Sequence, residues 1–137
     1  MKEYKPNPLL DKSFEFAALI IESTKKLQKM SLDRSIASQY VRSGTSVGAN
    51  IEEAVGASSK RDFINKLNIA YKEGRESKYW IRLLYRTRYI DEESYQTLYK
   101  TITEIQRMLY SSLKKARFNL QKGILLFFAL CSLFFLI

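Results

Sequence analysis

Apolar residues recur along most of this chain at alternating spacings of three and four, the period of a helix that buries one side. In the first such stretch Leu10, Phe14, Ala17, Ile21 and Thr24 make one stripe, and Leu9, Phe16, Ile20, Leu27 and Met30 make a second beside it. Two adjacent stripes give the broad apolar face of a bundle helix, predicted over about residues 7–29. The pattern breaks around residues 30–32, where Ser31 or Asp33 can cap the next helix. That second helix is expected to run to about Val55, with Ile36, Tyr40, Ser43, Val47, Asn50 and Ala54 on one stripe. Ala37, Val41, Gly44, Gly48, Ile51 and Val55 form its other stripe. Its middle, SGTSVGAN, has poor helix propensity; small residues there imply either close approach of another backbone or a kink.

Gly56, Ala57 and Ser58 form the next connection, and Ser59 with Asp62 three residues later resembles a capping box. The third helix, about residues 59–86, carries Phe63, Leu67, Ala70, Gly74, Ser77, Ile81 and Leu84 in clean heptad spacing. A second stripe of Ile69, Glu73, Glu76, Trp80 and Leu83 puts two carboxylates on a half-buried face. After a turn at residues 88–90, Asp91 caps a fourth helix, with Glu92 and Glu93 favourable in its first turn. Leu98, Ile102, Ile105, Leu109, Ser112 and Ala116 carry that helix to about Gln121. Both prolines, Pro6 and Pro8, precede the first apolar-periodic residue, Leu9, and no alternating strand pattern occurs. Short connections make successive helices antiparallel neighbours. The expected fold is an all-α, up-down antiparallel four-helix bundle over residues 9–122, with an arm at 1–8 and an apolar tail at 123–137.

Composition narrows the chemistry. At 137 residues there is room for one domain with a real core. The chain has no histidine, the commonest general base and metal ligand, and its single cysteine, Cys131, admits no disulfide within one chain. The first ten residues lack a signal-peptide apolar core, so a cytoplasmic, reducing location is expected. No catalytic residue, metal or cofactor is expected, and the protein is read as a non-enzyme.

Charge adds a candidate function. The net charge is +9, and residues 59–122 hold 15 basic against 7 acidic side chains. Arg75, Lys78, Arg82 and Arg86 are spaced three, four and four along the third helix, while Lys100, Arg107 and Lys114 recur every seven on the fourth. The bland reading is a solvated face; the functional one is a surface for the phosphate backbone of RNA or DNA. No base-reading motif is present, so contact would be with the backbone.

Arg42, Asn50, Glu53, Glu73 and Glu76 lie on or beside the apolar stripes. Paired carboxylates can serve acid–base chemistry or a metal, but di-iron bundles use Glu-x-x-His motifs and this chain has no histidine. The favoured reading is a buried polar network, Arg42 pairing with Glu73 or Glu76 and Asn50 bonding across helices. Gly44-x-x-x-Gly48 resembles a membrane helix-dimer motif, yet Arg42, Asn50, Glu52 and Glu53 around it favour close packing in a soluble bundle. GILLFFALCSLFFLI, residues 123–137, has no charge and as a helix would be about 22 Å long, against roughly 30 Å of bilayer hydrocarbon. With Lys114, Lys115, Arg117 and Lys122 before it, the readings are a shallow membrane anchor, a helix docked on the bundle or between subunits, or an extension without a selected role.

The stretches QYVRSGTSVGANIEEA (residues 39–54) and SSKRDFINKLNIAYKEGRESKYWIRLL (58–84) carry a resemblance. In order they hold the small-residue segment, the Asn50 and Glu53 pair, a Lys-Arg-Asp-Phe helix start and an Arg-Glu…Tyr-Trp end. Over roughly residues 10–120 the chain resembles the four-helix-bundle family first named from proteins encoded in bacterial 23S ribosomal RNA intervening sequences. The resemblance implies a left-handed bundle assembled as a homopentameric ring. That family is similar to the accessory variability proteins of diversity-generating retroelements, basic pentamers that act with a reverse transcriptase and nucleic acid, so a partner of that kind is implied too. The tail from Gly123 lies outside the family pattern. The resulting expectation is a non-enzymatic, pentameric scaffold that binds RNA or DNA backbone. Its rival is a structural or interaction scaffold without a nucleic-acid role, tethered to a membrane by its tail.

Overall fold

The computed structural model describes residues 6–134, with side chains as far as Leu126. Residues 1–5 of the expected arm, and the side chains of 127–137 in the expected tail, lie outside the described residues.

Four helices occupy almost all of it: α1 (Pro8–Lys29), α2 (Arg34–Val55), α3 (Lys60–Arg86) and α4 (Glu92–Phe134). Their starts follow from local chemistry. The first amides of a helix lack partners within it, and a short polar side chain just outside supplies one. Asn7, Asp33 and Ser59 accept from Leu10, Ser35 and Asp62 amides respectively, and Asp91 accepts from the Ser94 amide at 2.8 Å. Pro8 occupies the first turn of α1, where a missing N–H costs nothing. The bundle therefore begins within the expected arm.

Contacts across each seam run in opposite senses along the two helices. Ser13 backs Gly48 and Ser23 meets Tyr40 between α1 and α2. Glu53 meets Lys66 and Arg42 meets Glu76 between α2 and α3. Tyr85 stacks on Tyr95 while Asn68 accepts from Arg117 between α3 and α4, and Lys12 pairs with Glu104 to close α1 onto α4. The bundle is thus up-down and antiparallel.

Its core is one continuous cluster. Phe16, Ile20 and Leu27 from α1 meet Tyr40, Val47 and Ile51 from α2. Leu67, Ala70, Ile81 and Leu84 from α3 and Leu98, Ile102, Ile105 and Leu109 from α4 complete it. The stripe of Leu9, Phe16, Ile20 and Leu27 enters this core, and of the other stripe only Thr24 is buried. On the other, Leu10 and Ala17 are half-buried, Ile21 is exposed and Phe14 is 73% exposed.

The fourth helix corrects an expected boundary. It does not stop near Gln121 but runs on to Phe134, so the stretch after Gly123 continues α4. Nothing in the sequence ends it: no proline follows, and Gly123 does not take the left-handed backbone of a helix-terminating glycine. Among the described residues, no helix is long and apolar enough to cross a membrane.

Candidate nucleic-acid interface

The basic stripes sit on the α3–α4 pair, on the side away from the core. Arg75, Arg82 and Arg86 on α3 and Lys100, Arg107 and Lys114 on α4 are all exposed. Lys78 is half-buried, its ammonium 4.5 Å from the centre of the Tyr99 ring, a cation–π contact that ties α3 to α4. The other close contacts of this seam are Gly74, whose missing side chain leaves room for Ile102 and Gln106, and the 2.7 Å bond from Arg117 to Asn68. They hold the two helices side by side in opposite senses, so the two stripes meet near Lys78 and Lys100 and extend from there toward opposite ends of the pair.

Three cations that cross the other helix seams are held in ion pairs. Lys12 is taken by Glu104, Arg42 by Glu73 and Glu76, and Lys66 by Glu53. Among the described residues, none of the seven stripe cations is in an ion pair. Glu104 lies near Lys100 and Arg107, but its carboxylate is already engaged. The hydrogen bond from Lys12 holds its pKa below the usual range, with smaller contributions from Lys100 and Arg107.

Aromatic rings gather where α3 ends and α4 begins. Tyr79, Arg82, Leu83, Tyr85, Arg86 and Tyr95 line an open groove of about 430 Å³. Tyr85 stacks on Tyr95 with centroids 4.2 Å apart, Tyr95 leans on Tyr99 at 5.3 Å, and Tyr79 meets Trp80 edge-on at 5.0 Å. The Tyr85 hydroxyl donates to Glu92, which raises the phenol's pKa and lowers that of the carboxyl. Two guanidinium groups beside exposed ring faces can hold phosphate and stack on a base. Sequence reasoning found Arg82 and Arg86 but not this ring cluster. Tyr85 and Tyr95 belong to different helices, and no spacing within one helix brings them together.

The expected polar network resolves into separate surface pairs. Arg42 does bridge both carboxylates, to Glu76 at 2.7 Å and to Glu73 at 3.3 Å, and also contacts Gln39. Its pKa is raised, chiefly by the hydrogen bond it donates to Glu76. But the Arg42 side chain is 48% exposed, so the cluster is not buried. Asn50 donates to the Ser46 carbonyl of its own helix instead of bonding across the bundle. Glu53 pairs with Lys66, apart from Arg42. Long arginine and glutamate side chains beside an apolar stripe reach water over its edge, and this accounts for the exposure.

The comparisons with known proteins agree with this architecture. The family model for the 23S rRNA-intervening sequence protein matches residues 6–111. The chain belongs to that family. A crystal structure of a protein with unknown function from the S23 ribosomal protein family of Bacteroides thetaiotaomicron VPI-5482 is 48% identical to it. The two superpose with a TM-score of 0.75, over 77% of this chain and 98% of that one. No curated protein matches the chain, and neither match names a catalytic activity. The family match ends inside α4, so Lys114 and everything beyond it lie outside the matched region.

Proposed function

We propose that this member of the intervening-sequence protein family is a non-enzymatic homo-oligomer that binds the phosphate backbone of RNA or DNA along α3 and α4. The observation that carries the reading is the concentration of cations on these two helices, 15 basic against 7 acidic side chains over residues 59–122. Arg75, Arg82, Arg86, Lys100, Arg107 and Lys114 are exposed and Lys78 is half-buried against Tyr99, and none of the seven has a described ion-pair partner, whereas Lys12, Arg42 and Lys66 are paired across the other seams. Unpaired cations along neighbouring helices suit a polyanion, because each contact with phosphate releases a condensed counterion. The groove of Tyr79, Tyr85 and Tyr95 beside Arg82 and Arg86 favours strands with accessible bases.

An apolar groove suited to assembly adds to the same reading. The outward α1 stripe forms an apolar groove with α2, lined by Leu10, Phe14, Ala17, Ile21, Gly48 and Ala49. A second copy of the chain would cover it, and repeated copies around a ring would add their basic faces into one field. Five copies is the number the family resemblance implies, and a reverse-transcriptase-like partner belongs to the same inference.

Fluorescence anisotropy with labelled RNA and DNA tests the binding claim. Arg82→Gln with Arg86→Gln should weaken binding to all sequences alike while leaving oligomer mass and thermal stability almost unchanged, since exposed charges contribute little to folding. No binding by the intact wild-type oligomer at low salt would leave the scaffold reading in its place.

A further inference from the structure

Beyond Leu113, the last buried residue of α4 among the described side chains, the helix moves away from the core. Ala116 and Leu120 are half-buried and Arg117 still reaches Asn68, but every side chain over residues 121–126 is exposed. Because α4 continues to Phe134, about 20 Å of helix follows Gln121, the first of these exposed positions.

The character of this extension is unlike that of the other helices. Ile124, Leu125 and Leu126 are consecutive, and Leu125 and Leu126 are 62% and 65% exposed. Three consecutive positions at 100° apart cover more than half of a helix's circumference. In the sequence no charged residue occurs over 123–137. A helix that docks in a protein groove needs one apolar face, whereas a helix apolar all round suits a large core or a bilayer.

The charges before it fit the same occupant. Lys114, Lys115, Arg117 and Lys122 are all exposed, and no acidic residue follows Glu104. The Lys122 ammonium lies 5.1 Å from the centre of the exposed Phe118 ring, so a cation and an aromatic ring share one level of the helix. Basic and aromatic side chains immediately before an apolar segment are the groups that settle among lipid headgroups.

We propose that α4 past Gln121 embeds in an anionic phospholipid bilayer, with Phe118 and the neighbouring lysines at the headgroup level. The region lies beyond the family match and the proposal is independent of nucleic acid.

Cys131 is the chain's only cysteine, so the full chain can be labelled there with an environment-sensitive fluorophore. Mixed with vesicles of phosphatidylcholine and phosphatidylglycerol, the labelled protein should float with the lipid and its emission should shift to the blue. Leu125→Glu with Leu126→Glu should abolish both signals while leaving the helical circular dichroism and thermal transition of the bundle unchanged, because both residues lie outside the core. Lys115→Gln and Lys122→Gln should each weaken binding to anionic vesicles about fivefold, and neutral vesicles should bind less than anionic ones. Failure to float would overturn the proposal. So would emission already blue in buffer and unaltered by vesicles, which would mean that protein, such as a second copy, covers the segment. Equal binding by the double glutamate variant would also overturn it.

Discussion

Burial pushes the Tyr40 phenol up to about 12, against a smaller opposing effect of its 2.6 Å hydrogen bond with Ser23. In the unfolded chain the same group ionises near pH 10. Between those values the unfolded state releases a proton that the folded state keeps, so stability falls as pH rises, by about 1.4 kcal/mol per pH unit. Below pH 10 the contribution is complete. Denaturation midpoints measured from neutral pH upward should therefore fall less steeply above pH 10 for Tyr40→Phe than for wild type, and parallel curves would contradict this. Tyr40 is legible as core from its stripe, but its hydroxyl partner on α1 is not. Arg42 illustrates the converse: its pairing with Glu73 and Glu76 could be read from the sequence, while its exposure depends on how far a flexible side chain extends over the edge of the seam.

The helices and most of their caps were legible, because Asp33 (with Ser31 as the alternative), Ser59 and Asp91 precede periodic runs, while Asn7 was read as the start of α1 and proves to be its cap. Two turns were less clearly marked, since Ser31 and Arg88 take left-handed backbone at φ 60° and 63° without being glycine. The small residues of α2 have two different reasons. A side chain at Gly48 would meet the Ser13 carbonyl oxygen at 3.2 Å, the backbone approach the sequence suggests. At Gly44 a Cβ would fall 2.6 to 2.9 Å from three atoms of the buried Ile20 side chain. Gly44→Ala gains about 1 kcal/mol in helix propensity, but overpacking against a β-branched side chain costs more. A net loss of about 1–2 kcal/mol is expected by chemical denaturation; a stabilised variant would show that α1 and α2 separate easily. The two α1 stripes were indistinguishable by period, and only the packing of the other helices decides that Phe16 and Ile20 turn inward while Phe14 turns out. The end of α4 was misread because a change of composition at Gly123 does not break a helix.

At the scale of the whole molecule, the exposed Phe14 and the α1–α2 groove are expected to be covered by another copy. Light scattering at micromolar concentration should give an oligomer, and Phe14→Glu should reduce its mass with little loss of helix content, since Phe14 contributes nothing to the core. A monomeric wild type would contradict the assembly. The binding face itself was visible in the sequence as a local excess of charge, yet its tyrosine cluster emerged only when α3 and α4 were brought together. The most direct measurement of the central claim is the salt dependence of wild-type binding to duplex DNA and to RNA. The logarithm of affinity should fall linearly with the logarithm of salt concentration over about 50 to 300 mM, with a slope near 0.9 for each phosphate contacted on duplex DNA. A slope of several units, shared by unrelated sequences, is the predicted result; affinity that is absent at the lowest salt, or indifferent to salt, would contradict the account.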